Sequence, residues 1–237
     1  MVQKIDNQQD YNLSNNQIQV IVSGIFGDGH ISMSTSGKSL YSTSCIYEEY
    51  IDFKANLLEG LLNKKKSYLN MGYKERIIYE INTSVDQRIS NLHALSIEEK
   101  LSLLDDLGLA MWFYDDGSLH KKNLFFNLNT HSFSEEIQRN LFIPFFEERG
   151  MKPKIFYDKK KDGRIFPYLY FGKHFGAYEI MQILSKFPIE CYKYKLWSPE
   201  TIQKWSKLKA QLKSEDIEVT SRGFENILLG KSLLYKI

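Results

Sequence analysis

Two stretches of this chain are apolar on every side of a helical wheel, and each stops at the dipeptide Asp-Gly. Residues 17–28 read QIQVIVSGIFGD before Gly29, and residues 107–116 read LGLAMWFYDD before Gly117. A helix without a polar face has to be buried all round, and a glycine just past its last turn is a common way to end one. One such run describes a core helix. Two, 88 positions apart and each followed by a strand-like pattern, describe a chain built twice around a pair of buried helices.

The segments between them follow one plan. Residues 29–47 alternate as a hairpin turning at Ser36-Gly37, 48–62 carry helical periodicity, and 68–83 form a second hairpin turning near Met71-Gly72. After Gly117, residues 118–130 give a strand pair and 133–149 a helix interrupted at Pro144. Residues 152–171 then give a hairpin turning at Lys161-Asp162-Gly163, and 173–187 a closing helix. Ser84 with Gln87, Ser96 with Glu99, and Ser132 with Glu135 have the spacing of capping boxes, and Ser198-Pro199-Glu200 opens a last helix. The reading is an α+β fold with a tandem pseudo-repeat: an N-terminal half over 1–95, a C-terminal half over 96–197 and a helical extension over 198–237.

Composition narrows the class. A hydrophobic fraction of 43% with 14% aromatics suits a packed core and excludes a disordered chain. The formal charge of +2 is too small to identify a partner, so the distribution of charge has to carry that argument. Cys45 and Cys191 have no CxxC or Cys/His spacing, and His30, His93, His120, His131 and His174 have no ligand spacing, so neither a disulfide scaffold nor a zinc site is expected. The polar start and the lack of a run of about 20 apolar residues lead to the expectation of a soluble intracellular protein with no membrane partner, in a bacterial or phage cytoplasm or an organelle matrix.

The first apolar helix carries Ser23, Gly24 and Gly27 on adjoining positions, a face with little bulk that invites a second backbone; the second offers Gly108 and Ala110. If these faces meet, Asp28 and Asp116 come together at the negative ends of two helix dipoles. That placement is unfavourable until a cation is bound. Mg²⁺ takes one or two carboxylates together with phosphate oxygens and water, and such centres stabilise the attacking and leaving oxygens of phosphodiester hydrolysis.

At these residues the chain resembles a known family. IVSGIFGDG (21–29) and LAMWFYDDG (109–117) are similar to the two copies of the LAGLIDADG motif of homing endonucleases, and LNTHSFS (128–134) and CYKYKLW (191–197) are similar to segments that follow in single-chain members. The resemblance implies an αββαββα pseudo-dimer with two antiparallel, saddle-like sheets lying in DNA major grooves. It also implies a double-strand break by metal-dependent hydrolysis at a long double-stranded site, Mg²⁺ or Mn²⁺ as cofactor, a monomer with an internal pseudo-two-fold, and homing of a mobile intron or intergenic element as the role. The metal falls to Asp28 and Asp116, with Gly27 and Asp115 in the preceding positions, and Lys195 matches the basic residue of one active centre. In the first half Arg88, His93 and Lys100 stand as candidates for that role. An RNA-binding splicing maturase, with intron RNA as partner, and a DNA-binding regulator that does not cut are the alternatives.

Strand alternation leaves one face of each sheet for DNA. Ile77, Tyr79 and Ile81 suit the core. First-half candidates for DNA contact are Ser32, Ser34, Tyr41, Thr43, Lys74, Arg76, Glu80 and Asn82. Those of the second half are His120, Lys122, Asn127, Asn129, Lys154, Lys160, Arg164, Tyr168 and Tyr170, with Lys193 near the end. Basic clusters at hairpins, Lys64-Lys65-Lys66 and Lys159-Lys160-Lys161, suit phosphate contacts.

Overall fold

In the computed structural model, which describes residues 12–71, 75–120, 125–172 and 176–214, the first motif helix α1 (Asn15–Phe26) begins at a capping box. The Ser14 hydroxyl accepts from the Gln17 N–H, and the Gln17 side chain accepts from the Ser14 N–H. It stops two residues before the aspartate: Gly27 is the C-cap, and its N–H donates to Ser23 O at 2.9 Å. Gly29 opens β1 (Gly29–Met33) instead of closing the helix. It is required there for space, because a Cβ on Gly29 would lie 2.6 Å from the Tyr41 ring.

β2 (Ser39–Cys45) completes a hairpin through Gly37, whose φ of +79° is one that glycine adopts without strain. α2 (Glu48–Leu57) is shorter than its periodicity predicts: Gly60 turns the chain at φ +80°, so β3 (Leu62–Asn70) starts early and pairs with β4 (Arg76–Thr83). α3 (Gln87–Ala94), α4 (Ile97–Leu103) and the second motif helix α5 (Asp106–Asp116) follow. Ser96 and Glu99 form the expected capping box. At α3, however, Asp86 and not Ser84 is the N-cap, its carboxylate accepting from the Arg88 N–H at 2.8 Å.

After Gly117 come β5 (Gly117–His120), β6 (Phe125–Leu128) and a helical stretch made of α6 (Glu135–Ile137), a π-turn at Gln138–Phe142 and α7 (Ile143–Glu147). Its N-cap is Ser134, not Ser132. Pro144 does not break this helix. The π-turn just ahead of it rearranges the backbone bonding where a proline ring would otherwise meet the preceding turn. β7 (Lys154–Lys159), β8 (Ile165–Phe171), α8 (Gly176–Lys186), a 3₁₀ turn at Glu190–Lys195 and α9 (Pro199–Ser214) complete the described residues.

Two compact units result. The first runs to Asp116 and takes in Ile189–Lys193; the second begins at Gly117 and resumes at Tyr194. Compactness therefore divides the chain after the second motif helix, whereas the sequence repeat divides it at 95/96. Each unit holds a four-stranded antiparallel sheet, β1-β2-β4-β3 in the first and β5-β6-β8-β7 in the second.

Register fixes which side chains share a face. In the first sheet Ile31 pairs with Tyr41, and Thr43 with Ile81. Tyr41 and Ile81 are fully buried and Thr43 is 3% exposed, so this is the face covered by helices. In the second, Phe126 pairs with Phe171 and Leu128 with Leu169, all fully buried. The opposite faces carry the side chains of alternate positions. Among the described residues, no helix is long and apolar enough to cross a membrane.

Candidate nuclease site and DNA-binding faces

The two motif helices pack along their length inside the first unit. Near their starts Gln19, fully buried on α1, reaches across to α5: its side chain lies against Gly108, accepts from the Asp105 N–H at 3.0 Å and donates to Leu103 O at 2.8 Å. Further on, the Phe26 and Trp112 rings stack with centroids 4.8 Å apart. At the ends a Cβ placed on Gly27 would lie 2.8 Å from the Asp115 Cβ. These contacts advance together along both helices, so the helices run parallel and their C-terminal ends meet. Asp28 follows Gly27 and Asp116 follows Asp115, so both motif acids sit at that meeting point, Asp28 exposed and Asp116 half-buried.

The small-residue face of α1 is divided between two neighbours. Gly27 meets α5, but Gly24 faces the Tyr41 ring of β2.

The Asp115 side chain is engaged inside the first unit. Its two carboxylate oxygens each accept from Lys54 Nζ at 2.9 Å, both side chains being 1% exposed, and Oδ1 also accepts from the Tyr50 hydroxyl at 2.7 Å. The Lys54 ammonium also lies 4.4 Å from the centre of the Tyr50 ring. Burial is the largest single influence on Lys54 and pulls its pKa down, but the Asp115 charge and hydrogen bond, with Tyr41 and Asp28, together outweigh it and the net shift is upward. Burial, and then Asp115, push the Tyr50 hydroxyl well above its ordinary value. Burial pushes Tyr41 up to about 12, and Asp28 contributes to the field at both Tyr41 and Lys54. A carboxylate already engaged by an ammonium and a phenol inside the protein is spent on holding helix α5 to α2. Lys54, 61 residues from its partner, is a residue that sequence pattern gave no means of finding.

The groups that the two motif ends could offer a metal are all oxygen: the carboxylates of Asp28 and Asp116 with the backbone carbonyls of Gly27 and Asp115. Hard oxygen donors at two adjoining helix ends fit Mg²⁺ or Mn²⁺. Among the described residues no three His, Cys, Asp or Glu side chains gather as a metal cage.

The first-half basic candidates are engaged elsewhere. Arg88 pairs with Asp86 at 2.7 Å and donates to Asn12 O, and Lys100 donates to His93 O at 2.8 Å and to Leu95 O at the end of α3. Burial lowers His93. Lys195, 6% exposed, belongs to the second unit, and exposed Lys193 pairs with Glu190 at 2.5 Å. Glu49 of α2 accepts from the N–H groups of Glu190 and Cys191 at 3.0 Å each, and the Tyr192 ring stacks on Tyr114 at 5.1 Å. The returning segment is thereby anchored in the first unit.

Of the expected DNA contacts, Ser32, Arg76, Glu80 and Asn82 lie on the open face of the first sheet, since Ser42 pairs with Asn82 and Ser44 with Glu80, opposite to the buried set. Tyr41 and Thr43 do not: they are on the covered face, one position out of phase with the expectation. Ser34 is occupied in the turn, its hydroxyl donating to Lys38 O at 2.8 Å. Lys65 also points to the helices, donating to Glu48 at 2.9 Å and pairing with Asp52, while Lys66 pairs with Glu80 at 3.0 Å on the open side. In the second sheet Asn127, Tyr170 and Lys154 pair in one row, His120 beside Phe125, and Tyr168 beside Phe156, all on the open face. Asn129 follows β6 and accepts from the His131 N–H at 3.4 Å; Lys160 and Arg164 sit at the β7–β8 turn, paired with Asp158 and Asp162. Lys74 and Lys122 lie outside the described residues.

Two parallel motif helices ending in paired acids, with a four-stranded antiparallel sheet in each of two units, define a two-motif fold of the homing endonuclease class. Residues 18–176 match the LAGLIDADG DNA endonuclease family, and the chain belongs to that family. Among solved structures it is similar to the homing endonuclease I-WcaI bound to its DNA recognition sequence, with 18% identity over 83% of this chain and 95% of that one and a TM-score of 0.67. It is also similar to mesophilic variants of the homing endonuclease I-DmoI, at 14% identity over 72% of this chain and 96% of that one with TM-score 0.45. A third similarity is to full-length DUF199/WhiA from Thermatoga maritima, at 12% identity over 92% and 67% with TM-score 0.48. No curated protein matches the chain.

Proposed function

We propose that this chain is a site-specific endonuclease that hydrolyses both strands of a long double-stranded DNA site, working as a monomer with an internal pseudo-two-fold in the homing of a mobile intron or intergenic element. The observation that carries the reading is the contact of Gly27 with Asp115, which brings the Asp28 and Asp116 ends of two parallel helices to one place. Two carboxylates brought to adjoining negative helix ends are a place that favours a divalent cation.

In this reading Asp28 and Asp116 hold Mg²⁺ or Mn²⁺, with phosphate oxygens and water completing the shell. The bound ion supplies charge stabilisation for the attacking and leaving oxygens. Asp115 and Lys54 hold the end of α5 in position. Lys195 polarises water or balances phosphate charge in one centre; Arg88 and Lys100 are bonded to Asp86 and to the carbonyls at the end of α3, and the two strands are expected to be cut at unequal rates. The open sheet faces enter major grooves, where a two-stranded ribbon fits and Arg favours guanine while Asn favours adenine.

The test is cleavage of a randomised duplex library with Mg²⁺ by the full chain beside Asp28→Asn and Asp116→Asn. Cutting at one recoverable sequence by the parent, with binding but no cutting by either variant, is expected. Undiminished cutting by both variants, or no cutting of any duplex by a folded parent, refutes the assignment.

A further inference from the structure

The open faces of the two sheets differ in chemistry. In the first unit the face presents mainly side chains that make hydrogen bonds, Arg76, Glu80, Asn82, Ser42 and Lys66, with Leu40, Tyr68 and Ile78 between them. In the second, Tyr168, Tyr170 and Phe156 take the positions of Glu80, Asn82 and Lys66, and Phe125 and Phe166 join them beside Asn127. Phe156 is 43% exposed, although the opposite face of this sheet is already a complete apolar core. Phe156 at least is therefore surplus to folding.

The aromatic side chains form one continuous tile. His120 stacks on Phe125 with centroids 4.1 Å apart and planes at 20°, Phe125 meets Tyr170 at 5.0 Å, Tyr170 meets Phe156 at 4.5 Å, and Phe156 meets Tyr168 at 6.3 Å. Rings tilted against one another in this way turn edges outward, which suits an apolar group better than an unpaired base that needs a free face. The tile is an apolar surface of ring edges. Lys154 in the same row as Tyr170, with Lys160 and Arg164 at the turn, gives it a basic margin suited to phosphates.

The one apolar group that a base pair displays in the major groove is the 5-methyl of thymine, and G·C pairs show only polar edges there. Resting on the endonuclease reading above, we infer that the second sheet reads its half of the DNA site through thymine methyl groups, with Phe125, Phe156, Tyr168 and Tyr170 as specificity-determining side chains. The first sheet reads the other half through hydrogen bonds. The half-site under the second unit is accordingly rich in A·T pairs, because a G·C edge set against Phe125 or Phe156 loses water without a methyl contact in return.

The experiment uses the full chain in EDTA, so that binding is read without cutting. Bound duplexes are selected from a randomised pool, and thymines of each half are then replaced by deoxyuridine, which removes the methyl and leaves the hydrogen-bonding edge intact. In one half, binding is expected to fall about four-fold for each contacted methyl, with no change in the other half, and Phe156→Ser with Tyr170→Ser should abolish the sensitivity while circular dichroism stays that of the parent. Equal tolerance of deoxyuridine in both halves, sensitivity that survives those substitutions, or preferential binding of the single strand would each overturn the inference while leaving DNA binding established. Failure to select any duplex overturns it together with the reading on which it rests.

Discussion

Replacing Lys54 with methionine keeps most of the side-chain volume and removes its charge from a site where both partners are 1% exposed. The Asp115 carboxylate then keeps only the Tyr50 hydroxyl at 2.7 Å in place of three donated bonds. Leaving one member of a buried pair uncompensated costs about 3–5 kcal/mol, which for a chain of this size lowers Tm by roughly 6–20 °C. Adding Asp115→Asn removes the stranded charge while keeping an acceptor for Tyr50, so the double variant should return to within about 1–2 kcal/mol of the parent, the remainder being the amide N–H groups without partners. Urea unfolding followed by far-UV circular dichroism and tryptophan fluorescence reads all three proteins. Because the folded Lys54 pKa is raised, the pair contributes fully below the ordinary lysine value and is lost only as pH rises through the folded one; the penalty should be flat across neutral pH. A Lys54→Met cost below about 1 kcal/mol, or a double variant no better than the single, would refute the claim that this pair is tightly held and mutually dependent.

Gly27→Ala would place a methyl 2.8 Å from the Asp115 Cβ, displacing the neighbouring acids, and is expected to reduce cleavage about 100-fold with DNA affinity nearly unchanged in a filter-binding assay. Lys64 and Lys65 are adjacent but on opposite faces: Lys64→Ala should lower the slope of log affinity against log salt by about 0.9, whereas Lys65→Ala, which only releases Glu48 and Asp52, should leave that slope alone. The Arg88 hydrogen bonds hold the Asp86 carboxyl below its usual range, so this bond stabilises the fold above the ordinary aspartate value and fails as pH drops through the folded one; Asp86→Asn should flatten the acid limb of a stability–pH profile and leave neutral cleavage intact.

The features that were legible in the sequence are those set by near neighbours. Gly37 and Gly163 mark their hairpins because a positive φ is a local need, and the all-apolar runs declared buried helices at once. Where several residues were able to do the same local job, the choice went astray: Ser84 lost to Asp86 and Ser132 to Ser134, because Ser-Val-Asp and Ser-Phe-Ser each offer two caps. The phase of β2 was illegible for a similar reason. SLYSTSC carries hydroxyls on both faces, and what turns Tyr41 inward is the space left by Gly24 and Gly29 on other elements. Gly29 has the sequence position of a helix stop, but its role in the fold is to leave room for that ring. The Lys54–Asp115 pair lay beyond any pattern, since a lysine on an otherwise ordinary helix gives no sign of being buried until the fold supplies its partner.

The boundary after Asp116 has a practical meaning for anyone recombining chains of this kind. A chimera cut at 95/96, where the sequence repeat suggests, would take α5 from one parent and α1 from the other, and would have to re-create the fit of Gln19 to Gly108, Phe26 to Trp112 and Lys54 to Asp115 between strangers. A crossover at 116/117 inherits all three as a set, provided that Ile189–Lys193 travel with the same parent to keep Glu49 and Tyr114 their native partners. The exchangeable cassette is then the sheet that follows, which is the part free to diverge.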